Sequence, residues 1–131
     1  MVIKEQKDKY GNPYILHPLR VMFRLKTNDG MIAEVLHDVV EDTNYTIEDL
    51  RKEGFSEDIL IALDCITKKE GEEYGHFIDR IRTNKLAVKV KLADLEDNMD
   101  IRRIKTLEQK DMERLNKYLH YYELLKNDDE K

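Results

Sequence analysis

The residues best equipped for chemistry stand together in His37-Asp38-Val39-Val40-Glu41-Asp42. On a helix, Glu41 follows His37 by one turn and Asp42 follows Asp38 by one turn. Side chains three and four positions apart are neighbours, so this set lines one helix edge within about 6 Å at the Cβ atoms. The surrounding stretch is apolar, and acids on an apolar helix cost free energy unless they are paired, solvated in a cleft or bound to a cation. One imidazole with carboxylates suits a borderline divalent ion such as Mn, Fe, Ni or Zn. An ion of that kind acidifies water and polarises a phosphoryl oxygen. Glu41 and Asp42 are then the candidates to handle the proton. The same letters also read as an acidic helix end capped by Asp42 and Thr43, although acids at a helix C-terminus oppose its dipole.

A second constellation lies in Val-Lys-Leu-Ala-Asp-Leu-Glu-Asp-Asn-Met-Asp, residues 90–100. Asp94 follows an apolar turn, and Asn98 falls one turn later on the same face. Asp94 is the candidate metal ligand from a second helix and Asn98 the candidate hydrogen-bonding group for a substrate. Asp97 and Asp100 are offset and expected to be solvated. Taken alone, this segment reads better as a helix with an acidic surface.

The elements that must position these groups are all helical. Gly11-Asn12-Pro13 is a turn, and His17-Pro18 starts a helix with Leu19, Val21, Met22 and Leu25 as its apolar positions. Asn28-Asp29-Gly30 is expected to break it. A second helix carries Met31, Ile32, Ala33, Val35, Leu36, Val39 and Val40, apolar on most sides and therefore central. Thr46 opens a short third helix and Ser56 caps a fourth. Residues 68–73 form a charged surface loop. A fifth helix runs through Phe77, Ile78 and Ile81, a sixth through Ala87 to Leu95, and a last one through Met112 to Leu125. No alternating segment is bounded by hairpin signals. The expectation is one compact all-α bundle over residues 1–131, with residues 127–131 fraying for want of an apolar anchor.

Composition agrees with that picture. The 131 residues are 40% hydrophobic and 39% charged, with five Gly and two Pro, as in a helix-rich domain with a modest core. The net charge of −5 disfavours a nucleic-acid partner, which calls for a basic stripe. A single cysteine, Cys65, rules out an intrachain disulfide and a cysteine-rich zinc site. It lies in an apolar run and reads as a small buried hydrophobe. The N-terminus lacks a signal-peptide core and no apolar run reaches membrane-spanning length, so a cytoplasmic location without membrane contact is expected.

At this point the residues resemble a known family. Asp-Lys-Tyr-Gly-Asn-Pro-Tyr-Ile-Leu-His-Pro-Leu-Arg-Val at 8–21, the stretch 33–50 around HDVVEDT, residues 64–74, and KVKLADLEDNMD at 89–100 are similar to the HD-domain metal-dependent phosphohydrolases. Within them the resemblance is to the hydrolase domain of the RelA/SpoT group and its small stand-alone relatives, over roughly residues 6–120. It implies an HD-type helical bundle with His37, Asp38 and Asp94 as metal ligands and Glu41 and Asp42 as the acidic pair that activates water. It also implies Asn98 at the nucleotide site, manganese as the ion, and removal of the 3′-pyrophosphate from guanosine tetra- or pentaphosphate. Lys7 and Arg20 are candidate cations for the phosphates, with Lys9, Arg24, Arg102 and Arg103 as weaker ones.

His17 lies in the family's His-Pro element, where we expect it to fix the turn before the helix rather than to bind metal. His76 and His120 match no ligand position and are expected to be solvated. The resemblance puts a further ligand His of the family at the position of Ile3, and the helix normally preceding it is missing. The expected consequences are weaker metal binding and self-association into a homo-oligomer through uncovered core surface. Nucleotide synthesis is not expected, since the chain has no room for the synthetase domain of the long bifunctional relatives. Two alternatives remain open: hydrolysis of another nucleotide phosphate, and a non-catalytic domain that binds nucleotide or a partner protein.

Overall fold

The computed structural model describes residues 16–130. The turn at Gly11-Asn12-Pro13, Ile3, Lys7 and Lys9 lie outside them. The described chain forms α1 (Leu16–Arg24), α2 (Asn28–Asp42), α3 (Ile47–Lys52), α4 (Glu57–Ile66), α5 (Tyr74–Ile81) and α6 (Lys85–Asn98). A 3₁₀ turn at Ile101–Arg103 and α7 (Gln109–Asp129) follow, and no strand occurs among the described residues. The all-α expectation is met.

Polar caps set most of the boundaries. Thr46 and Asp49 form a reciprocal capping box on α3, Ser56 caps α4, and the Asn84 side chain accepts from the Ala87 N–H at 2.9 Å to open α6. At one place the cap overturns the expectation. Asn28-Asp29-Gly30 does not interrupt the helices but forms the first turn of α2, because the Thr27 side chain accepts from the Gly30 N–H. Asp29 then suits the positive end of the dipole. Gly30 permits the tight approach: a Cβ there would meet Thr27 Oγ1 at 3.2 Å and Leu25 Cδ2 at 3.4 Å.

The centre of the bundle is α6, which packs against α1, α2, α4, α5 and α7. Its buried residues Ala87, Val88, Val90, Leu92, Ala93 and Leu95 point in nearly every direction, the pattern of a helix surrounded by others. The helix α2, expected to be central, packs on α1, α4 and α6. The core joins Val21, Leu36, Leu60, Leu63, Ile78, Ile81, Leu95 and Leu125.

Residues 127–129, expected to fray, continue α7. Arg82 Nε donates to Asp128 Oδ2 at 2.7 Å and Lys89 Nζ to Asp129 Oδ1 at 3.1 Å, so charge anchors what apolar contacts do not. Cys65 is half-buried rather than fully enclosed. His76 and His120 are exposed, as expected, with His76 near Glu72 and His120 edge-on to Tyr121.

Leu63 is fully enclosed, whereas Phe23 is 82% exposed. Leu63→Ala should therefore cost about 2–5 kcal/mol of unfolding free energy in urea titrations, while Phe23→Ala should change it by less than about 0.5 kcal/mol.

Candidate metal and phosphate site

Buried Asp111 belongs to the capping box of α7, whereas the buried acids Glu34, Asp38 and Asp97 gather where α1, α2 and α6 meet. Each of these helices brings chemistry on the turn that faces the others, and the two sides of the site differ in charge.

On α2, Ala33 and Leu36 fix which face is buried, and Glu34, His37 and Asp38 fall on or beside that face. Each offers a ligand atom, and these atoms all lie within 4.8 Å of one another. Glu34 is 2% exposed. It is a site residue that the sequence reading missed, although its position one turn before Asp38 was a usable signal. Burial, with the charges of Asp94 and Asp38, pushes its carboxyl up to about 8 against the opposing pull of His37 and His17. Burial also raises Asp38 to about 6, where His37 and His17 oppose it and Asp42 and Glu41 add to it. The next turn carries the acidic pair. His37 Nε2 donates to Glu41 Oε1 at 2.9 Å, and burial together with the Glu41 charge raises Asp42. One oxygen each of Asp38 and Asp42 is buried with no hydrogen-bond partner among the described residues. Thr43 ends the helix here, its N–H bonding to the Val39 carbonyl at 3.1 Å. The capped-end alternative thus describes the helix terminus correctly but leaves the buried acids without a partner.

The opposite side is built from α6 and α1 and is rich in cations. Asp97, expected to be solvated, is the most enclosed acid of the site, with 0% exposure. It lies three residues after Asp94 on a helix buried on most sides, so the offset does not carry it to solvent. His17 sits in the first turn of α1, and the turn it was expected to fix lies outside the described residues. Its ring spans two carboxylates, with Nδ1 at 2.6 Å from Asp97 Oδ2 and Nε2 at 2.9 Å from Asp94 Oδ1. Arg20 Nε donates to Asp97 Oδ1 at 2.8 Å, and Arg24 and Arg103 lie at 3.7 and 3.6 Å from the same oxygen. Arg20, expected at the substrate, is therefore first a charge partner of Asp97. Arg102 is highly exposed and bonds Asp100, which is itself covered rather than solvated.

Asp94 is held from a second direction. Lys91 Nζ donates to Asp94 Oδ2 at 3.0 Å and lies 5.4 Å from the ring centroids of both Tyr74 and Phe77. Burial alone would raise the Asp94 carboxyl; the Lys91 charge and the His17 hydrogen bond outweigh it and hold the carboxyl well below the usual range. The neighbouring Asp97 is also lowered, since bonds from Arg20 and His17 overcome its burial. Asn98 ends α6 half-buried and makes no side-chain hydrogen bond within the described residues.

The structure thus brings His37, Asp38, Glu41 and Asp42 together on α2, with Asp94 facing them from α6 closely enough for its charge to act on Glu34. It adds His17 and Glu34 to the expected set. The acids of α6 are neutralised by His17, Arg20, Arg24, Arg103 and Lys91, whereas the described residues around Glu34, Asp38, Glu41 and Asp42 offer His37 at close range. Buried oxygens without partners, beside an imidazole and carboxylates on one face, are what a divalent cation satisfies.

The chain is 35% identical over 107 residues to a guanosine-3′,5′-bis(diphosphate) 3′-pyrophosphohydrolase of Aquifex aeolicus, covering 72% of this chain and 15% of that protein. It is 37% identical over 108 residues to a GTP pyrophosphokinase of Streptomyces coelicolor, covering 72% and 12%. A guanosine-3′,5′-bis(diphosphate) 3′-pyrophosphohydrolase of Borreliella burgdorferi matches at 47% over 62 residues, 44% of this chain and 9% of the relative. This chain is similar to a segment of those enzymes. The likeness supports the RelA/SpoT relation indicated by the motifs, while no protein-family model matches the chain. The chain spans no more than 15% of the length of these three relatives.

The His17 imidazole titrates within reach of ordinary buffers. Burial would lower its pKa, but the bonds and charges of Asp94 and Asp97 raise it from 6.5 to about 9. A folded-state value above the unfolded one means stability that is fully present below pH 6.5 and lost as pH rises through about 9. In chelator, the difference in melting temperature between wild type and His17→Gln should be largest near the lower value and shrink towards the upper. A difference constant across that window would remove His17 as the titrating group.

Proposed function

We propose that this chain is a metal-dependent phosphohydrolase domain of the HD type, acting on guanosine 3′,5′-bis(diphosphate) or its pentaphosphate analogue by removing the 3′-pyrophosphate. The observation that carries the reading is the set of buried, uncompensated carboxylates on α2 beside His37, facing Asp94 and His17 across the helix interface. The names of the long relatives supply the nucleotide.

His37, Asp38 and Asp94 are the proposed ligands, and His17 joins them from α1. Its Nε2 lies at 2.9 Å from Asp94 Oδ1, and its charge acts on both Glu34 and Asp38. In this reading His17 is the fourth protein group and takes the place of the ligand expected at the position of Ile3. Manganese is the proposed ion. When bound, it supplies positive charge that polarises a phosphoryl oxygen and acidifies water.

The remaining steps belong to side chains. Glu41 is engaged by His37, whereas Asp42 keeps a buried oxygen without a partner among the described residues, which suits Asp42 to accept the proton from attacking water. In the metal-free site burial pushes the Glu34 carboxyl up to about 8, and in its protonated form it donates a hydrogen bond instead of adding another charge. Asn98, with its amide uncommitted, is the proposed contact to the nucleotide, and Arg20 and Lys7 are the proposed phosphate cations. The water oxygen bonds to the phosphorus next to the 3′ oxygen as the P–O3′ bond breaks. Asp42 takes the water proton, and the 3′ oxygen leaves as a hydroxyl after taking up a proton. The products are pyrophosphate and guanosine 5′-diphosphate, or the 5′-triphosphate from the pentaphosphate. No described helix is long and apolar enough to cross a membrane.

With Mn²⁺ and guanosine tetraphosphate, the purified protein should release pyrophosphate, and chelator should stop the release. Loss of several kcal/mol of charge stabilisation predicts that His37→Ala lowers turnover by at least about 100-fold. Asp42→Asn should lower kcat by about 10²- to 10⁴-fold, more than Glu41→Gln does. Undiminished pyrophosphate release by His37→Ala would refute the site.

A further inference from the structure

We infer that Asp97 is a positioning residue for the metal site: its buried carboxylate holds the His17 ring by Nδ1, so that Nε2 is presented towards Asp94 and the α2 carboxylates. The inference rests on the metal reading above.

Four observations support it. First, the bond between His17 Nδ1 and Asp97 Oδ2 is short, 2.6 Å, and Asp97 is fully enclosed, so water does not compete for that oxygen. Second, the other oxygen of Asp97 is occupied independently: Arg20 Nε donates to Oδ1 at 2.8 Å, with Arg24 and Arg103 close by. This leaves Oδ2 to the imidazole and fixes the carboxylate plane. Third, Arg103 also donates to the Asp97 backbone carbonyl at 2.8 Å, which ties the C-terminal turn of α6 to the 3₁₀ segment and restrains the main chain that carries Asp97. Fourth, the two ring nitrogens face different tasks. Nδ1 points to an acid already neutralised by arginines, whereas Nε2 points to Asp94, on the side of the α2 acids, where Asp38 and Asp42 each keep a buried oxygen without a hydrogen-bond partner among the described residues.

A ligating histidine commonly donates its other N–H to a carboxylate, which sets tautomer and ring orientation and makes the ligating nitrogen more basic. Asp97 on this account acts through His17 and does not touch the ion, and Arg20 steadies Asp97 through its Nε. It also explains why so costly a group as a buried aspartate stands between α1 and α6 rather than an apolar residue that would pack at less expense.

The test uses the whole chain labelled with ¹⁵N at histidine and titrated with Zn²⁺, a diamagnetic stand-in. The expected result is that His17 becomes ligated through Nε2 while its Nδ1 stays protonated, and that the His37 signals also move. If Zn²⁺ shifts His37 and leaves His17 unchanged, or ligates His17 through Nδ1, the inference is overturned while the metal site stands. If neither histidine responds, the metal reading fails and the inference with it. This measurement needs no variant and so does not depend on one folding. In a second arm, Mn²⁺ affinity is measured by calorimetry for wild type, Asp97→Asn and His37→Ala. Loss of an outer carboxylate of this type predicts a 10- to 100-fold weaker Kd for Asp97→Asn. Unchanged affinity in a folded Asp97→Asn protein, with His37→Ala abolishing binding, would overturn the positioning role alone.

Discussion

A carboxylate with no exposure to water is among the least tolerable groups in a folded chain unless cations surround it, and Asp97 occupies such an enclosed position in this bundle. The contacts it accepts set the relation of three segments. His17 and Arg20 bring α1 to it, Arg24 adds a longer contact from the end of α1, and Arg103 folds the 3₁₀ turn back over the end of α6. Replacing one partner leaves a buried charge short of compensation, a change that costs about 3–5 kcal/mol in comparable buried pairs. The apolar core brings α1 and α6 together in a general way. The aspartate specifies their register, because its hydrogen bonds have direction and hydrophobic contacts have little.

That division between direction and bulk explains what could be read from the letters. The periodic placement of apolar residues gave the helices and the all-α class, since burial of one face is a local, repeating requirement. His37, Asp38, Glu41 and Asp42 could be grouped because helical spacing alone makes them neighbours. The Asn28-Asp29-Gly30 segment was misjudged because turn-favouring residues also favour the first turn of a capped helix, and Thr27 decided between the two. His17, Asp97 and Arg20 were misplaced for a different reason. Their partners are on another helix, and no periodicity within one segment reveals a contact made between residues 77 to 80 positions apart. Glu34 falls between the two cases: its spacing to His37 and Asp38 was visible, but its burial depends on what α6 lays against it.

The unequal distribution of charge follows from the same arrangement. Cations cluster on the α1 and α6 side, where acids must be kept ionised in the absence of any ligand. The α2 side keeps its acids crowded, with Glu34 and Asp38 raised out of the ordinary carboxylate range. A site that neutralised both sides internally would have no electrostatic use for a cation. Crowding on one side alone preserves an affinity for positive charge while the other side holds the scaffold together.

The separation of the bridged residues has a kinetic side. His17 and Asp97 are 80 positions apart, so their contact closes a loop that contains α2 to α5 and most of α6. Loop-closure entropy grows only with the logarithm of loop length, so such a clasp is affordable at equilibrium. In folding it is slow, since contacts of high sequence separation must wait for the chain to be gathered. The ion's proposed ligands therefore come together only after the clasp has shut, and an ion that recognises the shut form draws the equilibrium towards it by mass action.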